Sequence, residues 1–305
     1  MLTRRDYRLF SLVGLATAAA GVCRFVDTGT VVPFAASAIA LALLATLVGH
    51  SVDALGDRLG SGATGVVQSA LGNLPELFVC IFALRAGLVD VVRGAIVGSI
   101  LANVLLVLGL AFVMGGVRHG VQRFDVAAAK TACLLLLLAV CTLLVPALTA
   151  ALHTPAAGHE KALSIVVSVA LLTVFALSLP AATARSAQES AAIHSRGDAV
   201  ADAEHVTGWP LWFALSILGL AGVGAALVSD WFVHALEPAI GALGLSQAFA
   251  GLVVVAIAGN AVENVVGVQL AMRNQMDYAV SIILQSPLQI ALVLAPVLVL
   301  TAPLI

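Results

Sequence analysis

The 305-residue sequence predicts an all-α polytopic membrane protein built from two inverted-topology repeats of transmembrane helices. Three observations predict it. Hydrophobic residues make up 61% of the chain and charged residues only 10%, where a soluble domain carries about a quarter charged residues. Apolar stretches of about 20 residues, the length a helix needs to cross a bilayer, follow one another with mostly short polar joints. Two related segments, Gly72-Asn73-Leu74-Pro75-Glu76 and Gly259-Asn260-Ala261-Val262-Glu263, lie inside such stretches.

Nine spans follow from the apolar pattern, at about 9–25, 31–50, 63–86, 90–115, 126–151, 161–180, 209–229, 247–271 and 278–301. Arg4, Arg5 and Arg8 precede the first span. It reads as a membrane helix rather than a cleaved leader, because nothing downstream suggests an exported soluble domain. Residues 1–30 thus form an extra N-terminal helix, and residues 31–180 a first five-helix repeat. Residues 181–208, with Arg185, Glu189, Arg196, Asp198, Asp202 and Glu204, read as a cytoplasmic linker. Residues 209–305 form a second repeat of three helices. With the N-terminus in the cytoplasm, the inner segments hold ten Lys and Arg residues and the outer segments four. That bias favours this orientation and puts the end of the ninth span outside. Cys23, Cys80, Cys133 and Cys141 show no CxxC spacing and read as small packing residues.

The repeat extends beyond the two glutamates. Glu76 precedes Asp90 by 14 residues and Ser99 by 23, and Glu263 precedes Asp277 by 14 and Ser286 by 23. Asn103 lies within a turn of the first serine and Gln289 within a turn of the second. The third and eighth spans are five crossings apart and so run in opposite directions. Inverted repeats that meet near the bilayer midplane are a recurring transporter architecture.

A carboxylate in mid-membrane costs roughly 2.5–3.5 kcal/mol even on the lenient insertion scale, so an intramembrane glutamate is a candidate ion or proton site. Helical spacing puts Ser69, Asn73, Glu76 and Cys80 on one face, and Asn260, Glu263 or Asn264, and Gly267 on another. Ser99 stacks with Asn103, and Ser286 with Gln289. As interhelical glue each amide or hydroxyl contributes about 0.6 kcal/mol on average, but their matched pairing predicts one oxygen-lined cavity. Gly72 lets its helix bend beside Pro75, which frees the carbonyl of Leu71, and Pro287 frees that of Ile283. Freed carbonyls are tolerable in lipid only where they line a cavity. Oxygen ligands with two carboxylates suit a hard cation, and the flexible count suits Ca²⁺. No Cys or His joins them, which argues against a dedicated zinc or copper site. Two carboxylates in low dielectric cannot both stay ionised without a cation, so protons and Ca²⁺ compete for the same oxygens.

On these residues the chain resembles the calcium/cation antiporter superfamily, specifically its cation/proton exchanger branch. Leu71 to Gly116 is similar to the first alpha-repeat of that family, with Gly-Asn-x-x-Glu-Leu, Phe82-Ala83-Leu84-Arg85 and Gly98-Ser99-x-x-x-Asn103. Val255 to Leu300 is similar to the second, through Gly259-Asn260-x-x-Glu263 and Gln285-Ser286-Pro287-Leu288-Gln289. The resemblance implies a sodium/calcium-exchanger-like fold and exchange of cytoplasmic Ca²⁺ for H⁺ by alternating access. It implies Glu76 and Glu263 as the cation- and proton-binding carboxylates. Asn73, Asn260, Ser99, Asn103, Ser286 and Gln289 would line the site, with Gly72 and Gly259 in the two motifs. Asn264, Gln285 and Arg85 depart from the residues usual in the family. The resemblance also implies two further helices after the ninth span. A truncated non-transporting subunit, a homo-oligomer or a partner supplying those helices therefore stay open. So does exchange of a monovalent cation or Mn²⁺ for H⁺.

No HExxH, GxSxG or Asp-rich phosphate motif occurs, so an enzyme is not expected. A net charge of −2 is too small to suggest a nucleic-acid partner. The expected partners are the lipid bilayer, Ca²⁺ and protons, with no cofactor beyond the cargo. The expected location is a bacterial inner membrane.

Overall fold

Helices make up nearly all of the structure, a computed structural model that describes residues 2–59, 71–153, 158–196 and 209–304, with the backbone alone at 53, 56–59, 179–196, 261–264 and 304. In chain order they are α1 (Arg4–Phe25), α2 (Val31–Leu59), α3 (Leu74–Arg85), α4 (Val89–His119), α5 (Val126–Ala151), α6 (Glu160–Arg196), α7 (Leu211–Leu243), α8 (Gln247–Gly259), α9 (Ala261–Met272) and α10 (Met276–Thr301). No strand occurs among the described residues. Seven of these helices carry stretches long and apolar enough to cross a membrane. The chain is an all-helical, polytopic integral membrane protein. Leu134, Leu137, Leu138, Leu144 and Leu148 of α5 stand exposed, a face that lipid covers without cost.

Contacts divide the chain into two units that interleave along the sequence. The first unit is Met1–Phe82 with Ala176–Gly244, and the second is Ala83–Phe175 with Leu245–Ile305. In the first, α2 lies along α7 and α1 rests against both. The buried residues of α7 include Ala214, Leu218, Ala221, Ala225, Val228 and Phe232, spaced at three and four as one helical stripe. Phe34 stacks on Phe232 with ring centroids 5.3 Å apart. Thr3 caps α1 in a capping box with Asp6, whose other oxygen lies 3.2 Å from Nε2 of His50 on α2. In the second unit α10 is central, with 72% of its apolar window buried against 17% for α5. Its Ile283 and Leu284 pack with Val107 and Ala111 of α4 and Ala271 of α9.

Three details differ from the sequence reading. Pro75 does not interrupt a helix: it sits in the first turn of α3, where its missing N–H costs nothing, and the chain turns at Gly72, where a bend was expected, and at Asn73. The eighth predicted span, 247–271, is likewise divided at Asn260, whose φ of −100° and ψ of 19° separate α8 from α9. The stretch 181–196 continues α6 as helix, in keeping with its alanine-rich sequence, while 197–208 lies outside the described residues.

Candidate functional site

Both Gly-Asn segments fall where a helix is interrupted. Asn73 lies in the turn before α3, and its carbonyl accepts the backbone N–H of Leu77 at 2.9 Å. One turn along, Glu76 is 2% exposed, and Cys80 on the same face is also buried. Ser69, expected on that face, lies outside the described residues.

The second unit brings together four of the expected polar residues. The Asn260 side-chain amide donates to Ser99 Oγ at 2.8 Å and to the carbonyl of Ala256 at 2.9 Å. Its carbonyl oxygen accepts from Asn103 Nδ2 at 3.0 Å and from the Ser286 hydroxyl at 3.2 Å. Asn103 Nδ2 also donates to the carbonyl of Ser99 at 3.0 Å and lies 3.4 Å from Ser286 Oγ. Ser99, Asn103 and Asn260 are fully buried, and Ser286 is nearly so. Gln289 is buried three residues beyond Ser286 on α10. Residues from matched positions of the two sequence repeats thus meet in one hydrogen-bonded cluster.

The oxygen chemistry of this cluster fits a hard cation. Asn103 Oδ1 is buried with no hydrogen-bond partner among the described residues. An unmet buried carbonyl costs about 1–3 kcal/mol, which a cation would recover. Among the described residues, no three His, Cys, Asp or Glu side chains gather closely enough to hold a metal ion. Amides and hydroxyls are what the second unit assembles. Glu263 lies in the first turn of α9, three residues beyond Asn260, and its side chain is outside what is described. Gly267, expected on the polar face, instead packs against Ile283 of α10. Cys23, Cys80, Cys133 and Cys141 stand unbridged.

Two features of the site escaped the sequence reading. The helices bearing Asn103 and Ser286, and the helix that ends at Asn260, each contain a π-helical segment: Ala102–Val107, Ile290–Leu294 and Ala250–Val255. Such widened turns recur at functional sites, and nothing in an apolar run signals them. The second feature had a signal, the Gly94-x-x-x-Gly98 spacing. Gly94 and Gly98 of α4 and Gly251 of α8 let the two helices touch backbone to backbone, so that a Cβ on Gly94 would lie 2.5 Å from the carbonyl oxygen of Ala248. This close approach is what sets Ser99 beside Asn260.

Residues 29–183 and 213–305 match the family model described as sodium/calcium exchanger protein. A Ca²⁺/H⁺ antiporter of Aphanothece halophytica is 34% identical over 280 residues, covering 87% of this chain and 74% of that protein. A Ca²⁺/H⁺ antiporter of Synechocystis is 34% identical, covering 89% and 76%. The crystal structure of the selenium-substituted Ca²⁺/H⁺ antiporter protein YfkE superposes with a TM-score of 0.78 at 27% identity, covering 98% of this chain and 83% of that one.

Proposed function

The chain belongs to the sodium/calcium exchanger protein family, and we propose that it is a secondary antiporter exchanging cytoplasmic Ca²⁺ for H⁺ by alternating access. The observation that carries this reading is the buried cluster of Ser99, Asn103, Asn260 and Ser286, joined across matched positions of the two repeats at a helix break. The names of the similar proteins support Ca²⁺ over Mn²⁺ or a monovalent ion.

In this reading Glu76 and Glu263 are the cation- and proton-binding carboxylates. Asn73, Asn260, Ser99, Asn103, Ser286 and Gln289 supply neutral oxygens, while Gly72 and Gly259 allow the breaks. A bound divalent cation keeps both carboxylates ionised, and protons arriving from the other side displace it. No enzymatic step and no resident cofactor enters the cycle. The cell compartment is a bacterial inner membrane with the N-terminus in the cytoplasm, an orientation supported by the Lys and Arg bias.

The test is ⁴⁵Ca²⁺ uptake into everted vesicles under a proton gradient, with Glu76→Gln and Glu263→Gln as variants. Gradient-driven uptake by the natural sequence, lost in both variants, is the expected result. Uptake that persists in either variant removes that residue from the site. Absence of Ca²⁺ uptake alongside Na⁺ or Mn²⁺ flux reassigns the ion.

A further inference from the structure

Beyond the polar cluster, the second unit contains a short strap that joins α4 to α5 and grips the far end of α9. Gln122, in that strap, donates from Nε2 to the carbonyl of Ala271 at 2.9 Å and to Asn274 Oδ1 at 3.2 Å. His119 Nε2 lies 2.7 Å from the carbonyl of Met272. Ala271 and Met272 end α9, where the following turn already gives the Ala271 carbonyl the backbone N–H of Asn274 at 3.1 Å, so the Gln122 amide is a second donor that ties this turn to α4. Side chains from the end of α4 and from the strap thus add to the backbone cap of α9. Asp277, one residue into α10, accepts the backbone N–H of Asp125 and ties the strap down once more. Phe124 packs on Phe112 with centroids 5.9 Å apart.

The fit of Gln122 depends on Gly115. A Cβ there would overlap Gln122 Oε1 and lie 3.0 Å from the carbonyl oxygen of Ala271. The bare backbone of α4 leaves a slot that the flat amide fills. Nothing in a plain helix-to-helix turn needs such a slot.

We propose that Gln122 is a positioning residue for the cation site: by holding the C-terminal carbonyls of α9 it fixes the axial register of the half-helix that begins at Asn260 and carries Glu263. This rests on the exchanger reading above. The half-helix has 12 residues, a rod of about 18 Å, with the break at Asn260 on one end and the strap on the other. A rod pinned at both ends presents its ligands in one place. Released at the strap end, it shifts along or about its axis, and the ligands at the break lose alignment. The loss falls on Ca²⁺ affinity, because the ligands are still present and turnover at saturation proceeds.

The experiment uses the full chain reconstituted in vesicles and reads initial Ca²⁺ uptake against Ca²⁺ concentration. Gln122→Met keeps the volume and removes the donor. It should raise the KM for Ca²⁺ about fivefold, the scale of one lost hydrogen bond, with kcat within about twofold. Gly115→Ala, which evicts the amide from the other side, should do the same, and the double variant should be no worse than either single one. His119→Ala provides a second probe of the strap and should raise KM in the same direction. Hydrogen exchange at the end of α9 should quicken in each variant. An unchanged KM in Gln122→Met, with normal uptake by the natural sequence, overturns the clasp alone. Equal falls in kcat and protein yield, with KM unmoved, also overturn it, since a merely structural role predicts that. No proton-driven Ca²⁺ uptake by the natural sequence overturns the exchanger reading, and the clasp's role falls with it.

Discussion

Asn260 gives two hydrogen bonds and takes two from a single amide, and its partners are Ser99, Asn103, Ser286 and the carbonyl of Ala256. Deleting it therefore removes four hydrogen bonds from buried groups at once. An interhelical hydrogen bond in a membrane contributes about 0.6 kcal/mol on average, but each buried polar group left unmet costs about 1–3 kcal/mol. Asn260→Ala is expected to destabilise the protein by about 2 kcal/mol or more, whereas Ser99→Ala, which removes one acceptor, should cost about 1 kcal/mol. Unfolding of the two variants in detergent micelles measures the difference. Equal losses would mean that Asn260 is one ligand among several and no hub. At this scale much was legible in advance. Ser99, Asn103, Asn260 and Ser286 stand out in sequence because polar residues in apolar spans need a reason, and the equal spacing of Ser99 and Ser286 from the two glutamates points to one shared reason. What spacing does not encode is the direction of each hydrogen bond, nor that Gly267 turns to Ile283 instead of to the cluster.

The helices hold this cluster only because α4 and α8 approach so closely. At Gly98 an added methyl would run into the backbone of Leu252, with its Cα 2.7 Å away, whereas at Gly109 of the same helix it would meet nothing within 4 Å. A flexible side chain could yield, but a helix backbone cannot. Gly98→Ala should force α4 and α8 apart, stretch the 2.8 Å contact between Asn260 and Ser99, and cost about 1–3 kcal/mol. Gly109→Ala should be neutral or slightly stabilising, since alanine loses less backbone freedom than glycine in a helix. Paired melting curves and Ca²⁺ uptake separate the two, and indistinguishable variants would show that the close approach is dispensable. Helix positions were legible from hydropathy because lipid permits little else than helices. The interruptions were less so. The bend expected at Gly72 is there, but Pro75 beside it starts a helix rather than breaking one, and Asn260 divides α8 from α9 with no proline nearby. The strap grip was invisible, because Gln122 and His119 act on backbone carbonyls, which any sequence would offer.

Across the whole molecule, neither sequence repeat matches a compact unit, since each unit draws chain from both. That interleaving is something local pattern cannot reveal. Ligand binding should be read in the stability of the protein. A cation that binds only the folded state stabilises it by about 2.7 kcal/mol at 100 times its Kd, enough to raise the melting temperature by several degrees. Under the proposed exchange, Ca²⁺ should raise the melting temperature of the detergent-solubilised protein. Lower pH should demand more Ca²⁺ for the same rise, because protons occupy the same carboxylates. Mg²⁺, which prefers a tight octahedral shell and gives up water reluctantly, should do far less. Glu76→Gln should lose the Ca²⁺ response while melting at a temperature close to that of the unliganded natural protein, since it keeps the side-chain shape. A Ca²⁺ shift of full size in that variant, or one indifferent to pH, would separate cation binding from Glu76 and remove the competition on which exchange depends.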